Sequence, residues 1–293
     1  MRLRILGAGA GGGLPQWNCG CAICSAARSG QIASMSQSSI ALSSDGARWV
    51  VVNASPDLRV QLAAHPPLHP TSLRQSPLVA VILTNGDIDH VAGLLSLREG
   101  SPFTLHATGT VLGTLAHDRV FGVLAPDRVR REAMELERTF EAAGLTVTAF
   151  AVPGKVALYL EGERPDPGAL GEETVALDIR ANGRRVIYAP ACAALPDWLI
   201  ERMEGADVVL FDGTVYHDDD MIRAGCGSKT GRRMGHVPMT GPEGSLSRLA
   251  TMGGRRIFIH INNTNPVLLP GPERDAIHAA GWEIAADGQE IVP

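Results

Sequence analysis

The sequence predicts an α/β sandwich: two β-sheets face to face, with helices on the outer faces. Three observations point there. Apolar runs of strand length occur in both halves of the chain, with helical patterns between and after them. Turn pairs at Asp45-Gly46 and Asn182-Gly183 sit between apolar runs and mark hairpins, which argue against one doubly wound parallel sheet. Finally, buried strands over 78–83 and 206–211 end in polar residues, as α/β strands do where they deliver reactive groups to a rim. No linker divides the chain, so residues 1–293 are read as a single domain.

Composition limits the function. The 293 residues are 45% apolar, enough for a substantial core. Lys and Arg number 26 against 31 Asp and Glu, and the longest run of one sign is Asp218-Asp219-Asp220. A nucleic-acid binder would show a basic patch, and none is present. No apolar stretch approaches the roughly 18 residues of a membrane span. The apolar run after Arg2 and Arg4 breaks at once into glycines, so no secretory signal is expected and the cytoplasm is the expected compartment. Aromatics are only 4%, so aliphatic side chains must fill the core. Five cysteines, an odd number, do not read as a disulfide framework.

The elements follow in order. Leu3 to Leu6 is a short strand running into the glycines of residues 7–13. Gly7, Gly9 and Gly12 have dinucleotide-loop spacing, but Leu14-Pro15-Gln16-Trp17 follows where a helix is required, so that reading fails. Ser39 to Leu42 and Trp49 to Asn53 are strands, and Pro56 opens a helix to Leu62. Leu78 to Leu83 is a buried strand; a helix with Val91, Leu94, Leu95 and Leu97 inward follows it. Phe103 to Ala107 is a strand, with a helix after it and helical character expected from Ala116 to Ala143. Strands are expected at Leu145–Val152 and Val156–Leu160, then a Pro/Gly-rich loop from Gly162 to Gly171. Val175–Arg180 and Arg185–Tyr188 form the second hairpin. Ala206–Phe211 and Arg256–Ile261 are further strands, and Glu283–Ala285 and Ile291–Val292 close the chain.

Five segments carry candidate chemistry. Cys19, Cys21 and Cys24, in a loop over 17–25, place three thiolates within six residues. Zinc takes such ligands and usually wants a fourth, which is not local; His260 or Asn263 would supply it if the last strands lie nearby. Asp87, Asp89 and His90 follow the buried strand at 78–83, where they either meet an ion or merely cap the next helix. His260 ends its strand and precedes Asn262, Asn263 and Asn265; alone it would be an ordinary core histidine, and it gains meaning only beside His90. Asp212-Gly213-Thr214 ends a strand ahead of His217, and Gly235-His236 follows the polar Gly231-Arg232-Arg233.

Together these residues resemble the metallo-β-lactamase superfamily, and within it a branch that serves in making the pyrroloquinoline quinone (PQQ) cofactor. The resemblance spans essentially the whole chain. It rests on residues 11–19, 37–40 and 53–57, Asp89-His90 with Gly93-Leu94-Leu95, and Asp212-Gly213-Thr214. Residues 227–231, Met234-Gly235-His236 and 260–266 complete it. The implied fold is the αββα sandwich. Superfamily hydrolases carry His-x-His-x-Asp-His after a buried strand; here the first two positions are Asn85 and Asp87, while Asp89 and His90 remain. Pro153-Gly154-Lys155 stands where a third His would follow, Ala189-Pro190-Ala191 replaces a bridging carboxylate, and His260 matches the last His.

The resemblance thus implies one surviving metal site, Asp89, His90 and His260. Two imidazoles and a carboxylate suit non-haem Fe(II) with positions open for O₂, whereas a hydrolase wants two clamping metals. The implied activity is an iron- and O₂-dependent hydroxylase acting on a tyrosine in a small Glu–Tyr-derived precursor of PQQ, alongside the other proteins of that pathway. Asp212 would orient a histidine, His236 would act as acid/base or bind the phenol, and Lys229, Arg232 or Arg233 would pair with substrate carboxylates. The cysteines resemble a structural zinc knot of related phosphodiesterases, in which Asn263 here stands at the fourth ligand's place. Two other readings stay open: a metal-dependent hydrolase or phosphodiesterase that needs no O₂, and a carrier that binds PQQ or a precursor without turnover.

Overall fold

The computed structural model describes residues 1–162 and 166–293. Fourteen strands are among them: β1 (Arg2–Gly7), β2 (Ser39–Ser43), β3 (Trp49–Val52), β4 (Leu78–Ile82), β5 (Phe103–Thr108), β6 (Val129–Met134), β7 (Thr139–Ala142), β8 (Leu145–Ala151), β9 (Val175–Ala181), β10 (Arg184–Ala189), β11 (Val208–Asp212), β12 (Arg255–Ile259), β13 (Trp282–Ile284) and β14 (Glu290–Ile291). They form two mixed seven-stranded sheets, ordered β14-β1-β2-β3-β4-β5-β6 and β13-β12-β11-β10-β9-β8-β7. The expected α/β sandwich is the observed fold.

Period-two alternation builds its layers. Ile5, Ile40, Val50 and Ile82 of the first sheet point inward and meet Val147, Ile179, Leu210 and Ile257 of the second. Their neighbours point outward. Leu6, Val51, Val81 and Leu105 pack under α2 (Leu58–Ala64) and α4 (Gly109–His117), through Leu58, Val111 and Leu115. On the other face, Phe150, Ile187, Val209 and Phe258 are covered by Leu199 and Met203 of α5 (Asp197–Met203) and Ile277 of α9 (Pro272–Ala279). Ile23 and Cys24 of α1 (Ala22–Arg28) join this cluster, so the cysteine loop ends as a short helix. In that helix the Cys21 sulfur accepts a hydrogen bond from the Cys24 N–H at 3.4 Å.

Three expectations are corrected. The stretch Ala116–Ala143 is helical only at its start: α4 ends at His117, a 3₁₀ helix spans Arg119–Val123, and β6 and β7 follow. β6 is an edge strand whose Arg130, Arg131 and Glu132 hide its period, and β7 turns into β8 through left-handed Ala143 and Gly144. Val156–Leu160 is not a strand; Leu158–Leu160 is one exposed 3₁₀ turn with no neighbour to pair with. The two last strands lie in different sheets: β13 runs parallel to β12, and β14 antiparallel to β1. Residues 163–165 of the expected 162–171 loop fall outside the described residues. No helix among the described residues is long and apolar enough to cross a membrane.

The parallel strands β4, β11 and β12 deliver their C-terminal ends to one rim. Asn85 to His90 follow β4, Asp212 ends β11 and His260 follows β12. The fold thereby gathers residues that are far apart in sequence.

Candidate metal centre and substrate pocket

Asp89 and His90 lie on α3 (Ile88–Val91), immediately after β4. The carboxylate Oδ2 of Asp89 is 3.1 Å from His260 Nε2 and 3.8 Å from His90 Nε2. Ligand atoms of all three residues lie within 4.8 Å of one another. Neighbouring ligands on an ion at about 2.1 Å would stand roughly 3 Å apart, so small adjustments close this trio on one metal. His90 and His260 are buried, at 1% and 5% exposure. Among the described residues His90 Nε2 has no hydrogen-bond partner, and a buried nitrogen without one is costly. A metal ion would satisfy it. The residues therefore fit a two-histidine, one-carboxylate centre.

The surrounding bonds fix each imidazole. Asn85 Oδ1 accepts from the backbone N–H of Asp87 at 3.0 Å, which identifies it as the carbonyl oxygen. The same oxygen is 2.7 Å from His90 Nδ1, which must therefore donate. Thr214 Oγ1 donates to the His260 carbonyl at 2.9 Å and so accepts from His260 Nδ1 at 2.8 Å. With their Nδ1 protons so placed, both rings would present Nε2 to a metal ion; until one binds, His260 Nε2 faces the Asp89 carboxylate. His260 itself has φ 62°, a left-handed backbone unusual outside glycine, which ends β12 abruptly.

Electrostatics divide the two histidines. Burial alone would raise the Asp89 carboxyl, but His90 and His260 beside it hold it well below the usual carboxylate range. Burial pushes His90 down, towards the neutral imidazole a metal needs, against the pull of Asp89. At His260 burial also pushes down, but the hydrogen bond and charge of Asp89 prevail and raise it.

A second group sits beside the first. Asp212 Oδ2 accepts from His236 Nδ1 at 2.7 Å and from the Cys192 N–H at 2.9 Å, while Oδ1 accepts from the Thr214 N–H at 3.0 Å. His236 follows α7 (Gly231–Met234) and the left-handed Gly235, and its ring stacks on His260 with centroids 5.1 Å apart. Its Nδ1 proton is committed to Asp212, leaving Nε2 free. Asp212, His236 and His260 also lie close enough to share an ion; a hydrogen bond joins the first two, and ring stacking joins His236 to His260.

These residues line a cavity of about 250 Å³. Lys229 and Arg233 line it; Arg232 is exposed and off it, its backbone N–H bonded to Asp218. His217 is also off it, bonded through Nδ1 to Thr240. Three contributors were given no role from sequence. Lys155 is 3.4 Å from Glu161 and 3.8 Å from Asp87, and Glu161 pairs with Arg233 at 2.9 Å. The Arg233 hydrogen bond holds the Glu161 carboxyl below its ordinary value. Thr214 is the third, and no motif spacing signals a hydroxyl shared by two histidines. Asp87 turns to Lys155 and the Leu158 N–H and does not join the trio.

The sulfurs of Cys19, Cys21 and Cys24 also lie within 4.8 Å of one another. Asn263 is beside them, but its Nδ2 donates to Cys19 and Cys24, each at 3.3 Å, so it serves the sulfurs as a donor. Three converging thiol sulfurs without disulfides suit a soft ion such as zinc.

Comparison with known proteins follows this geometry. Residues 48–261 match the model of the β-lactamase superfamily domain. The chain is 56% identical to coenzyme PQQ synthesis protein B of Methylobacterium radiotolerans, with 99% of each chain covered. It is 52% identical to the protein of that name from Ruegeria pomeroyi, with 100% of each covered. The crystal structure of Zn²⁺-bound PqqB from Methylobacterium extorquens superposes with a TM-score of 0.98 at 54% identity, covering 100% of both chains. A diphosphatase of the PhnP family shares the fold at a TM-score of 0.71 and 20% identity, over 100% of this chain and 97% of that one.

Proposed function

Because the chain belongs to the coenzyme PQQ synthesis protein B family of the β-lactamase superfamily, we propose that it serves PQQ synthesis as an iron- and O₂-dependent hydroxylase. Its substrate on this reading is a tyrosine in a small Glu–Tyr-derived precursor, and its workplace is the cytoplasm with the other proteins of the pathway. The observation that carries the reading is the trio of two histidines and one carboxylate. Asp89, His90 and His260 converge, while Gly154 and Ala191 line the cavity in segments where superfamily hydrolases hold further ligands. A lone centre with two imidazoles and one carboxylate suits O₂ activation; hydrolysis of this superfamily's kind wants two metals.

Asp89, His90 and His260 would hold Fe(II), which when bound supplies the redox chemistry of O₂. The chain's own residues do the rest. Asn85 and Thr214 keep the two ligand imidazoles oriented through their Nδ1 protons. His236 accepts the phenol proton at Nε2, and Asp212 steadies the imidazolium so formed. Lys155, Lys229 and Arg233 bind substrate carboxylates at the cavity wall. Putting one oxygen atom into a ring C–H while the other leaves as water consumes two electrons and two protons. The electrons are assigned to an external reductant.

O₂ uptake tests the reading. Protein loaded anaerobically with Fe(II), given a reductant and a Glu–Tyr peptide, should consume O₂ in a peptide-dependent way, and His90→Ala should abolish it. Turnover of phosphodiesters or lactones with Zn²⁺ or Mn²⁺ and no O₂ would instead establish a hydrolase.

A further inference from the structure

A fourth cysteine stands at the three-cysteine cluster. Cys226 is 207 residues from Cys19 in sequence, yet the two sulfurs are 3.6 Å apart. Four sulfurs around zinc at about 2.3 Å are separated by roughly 3.8 Å along each edge of the tetrahedron. The Cys19–Cys226 separation is one such edge; the Cys226 sulfur stands outside the 4.8 Å grouping of the other three, so its side chain must move inward to close the remaining edges. It is far too long for a disulfide, whose sulfurs bond at about 2.05 Å. Asn263 does not compete for the fourth place, because its amide N–H groups face the sulfurs of Cys19 and Cys24. Two such donors stabilise thiolates, as a metal-thiolate site requires.

We propose that Cys226 completes a four-thiolate zinc site with Cys19, Cys21 and Cys24, and that this site clasps one wall of the substrate pocket. The local backbone is built to present the sulfur. Cys226 follows α6 (Asp220–Arg223), its N–H donates to the Met221 carbonyl at 2.9 Å, and the left-handed Gly225 before it turns the chain. Directly after it come Lys229, Arg233 and His236, all lining the pocket. Asn263, three residues beyond His260, joins the same cluster. One ion there ties the Cys19–Cys24 loop to the segment carrying the pocket's cations and proton acceptor, beside the strand end carrying a metal ligand.

The experiment reads the zinc, not turnover. In a His90→Ala background, so that the cysteine cluster alone holds tightly bound metal, zinc-edge X-ray absorption should give four sulfur neighbours. Three sulfurs plus one nitrogen or oxygen would overturn the proposal, as would a Cys19–Cys226 disulfide in zinc-free purified protein. Cys226→Ser should release zinc to a competing chelator at least tenfold more readily than the parent. It should also raise amide hydrogen exchange over residues 224–236. Unchanged zinc retention and unchanged exchange would make Cys226 a bystander. The absorption measurement needs no change at Cys226, so a poorly folding variant leaves the proposal open to refutation. Neither readout depends on the hydroxylase reading.

Discussion

His260 Nε2 lies 3.1 Å from Asp89 Oδ2, although 171 residues separate the two in sequence. The two sheets make that contact. β4 and β12 belong to different sheets, yet both end at the same rim: His260 directly follows β12, and Asp89 stands on α3, the first helix after β4.

His260→Ala removes one of the three proposed ligands and the partner of Asp89. It should lower Fe(II) affinity by at least two orders of magnitude in an anaerobic titration, with zinc at the cysteines retained. Full iron binding by this variant would refute the ligand assignment.

Asn85→Ala deletes the acceptor of the His90 Nδ1 proton without touching a ligand. Losing such an orienting partner costs about 10–100-fold in metal affinity. The same titration checks it, and an affinity within twofold of the parent would mean that Asn85 orients nothing.

His236→Ala should leave iron binding unchanged and lower kcat by about 10²–10⁴-fold, the usual contribution of a positioned base. Loss of iron in this variant would place His236 among the ligands. Equal kcat would remove it from the proton path.

Gly93→Ala tests the support under α3. A methyl there would sit 2.0 Å from the Ser55 carbonyl oxygen and 2.8 Å from that of Ala54, both backbone atoms that cannot step aside. Overpacking of this kind costs about 1–3 kcal/mol or more, so a thermal melt should show a clear fall in Tm. An unchanged Tm would show that the backbone yields freely.

Asp220 supplies a pH dependence. Burial pushes its carboxyl up to about 6, against the Tyr216 and His217 N–H groups that donate to it. The folded chain then binds a proton more tightly than the unfolded one, whose Asp titrates near 4. Stability from this group is therefore lost as pH rises through the window from about 4 to about 6. Asp220→Asn should flatten the fall of Tm across that window, and an identical slope would contradict the assignment.

Much of this was legible before folding. Alternation in Ile5-Leu6, Val81-Ile82 and Val209-Leu210 gives both faces of both sheets, because strand period depends on sequence alone. Asp89, His90, His260 and Asp212 are visible as polar residues after buried strands, and His236 as part of a polar Gly-rich segment. β6 and β7 were not, since an edge strand carrying Arg130, Arg131 and Glu132 shows no buried face. Lys155, Glu161, Thr214 and the approach of Cys226 to Cys19 were hidden for another reason. Their meaning comes from contacts across tens to hundreds of residues, such as the 72 between Glu161 and Arg233, which no local spacing encodes. Arg232 shows the converse: it shares the motif of Arg233, but the single turn of α7 points it to solvent.

The most direct test of the central claim follows the oxygen itself. Fe(II)-loaded protein is given ¹⁸O₂, a reductant and a Glu–Tyr peptide, and the product is weighed by mass spectrometry. The account predicts label from O₂ on the tyrosine ring, lost in both His90→Ala and Asp89→Ala. Unlabelled peptide recovered from protein with iron demonstrably bound would contradict it, and tight binding of PQQ by that protein would make it a carrier.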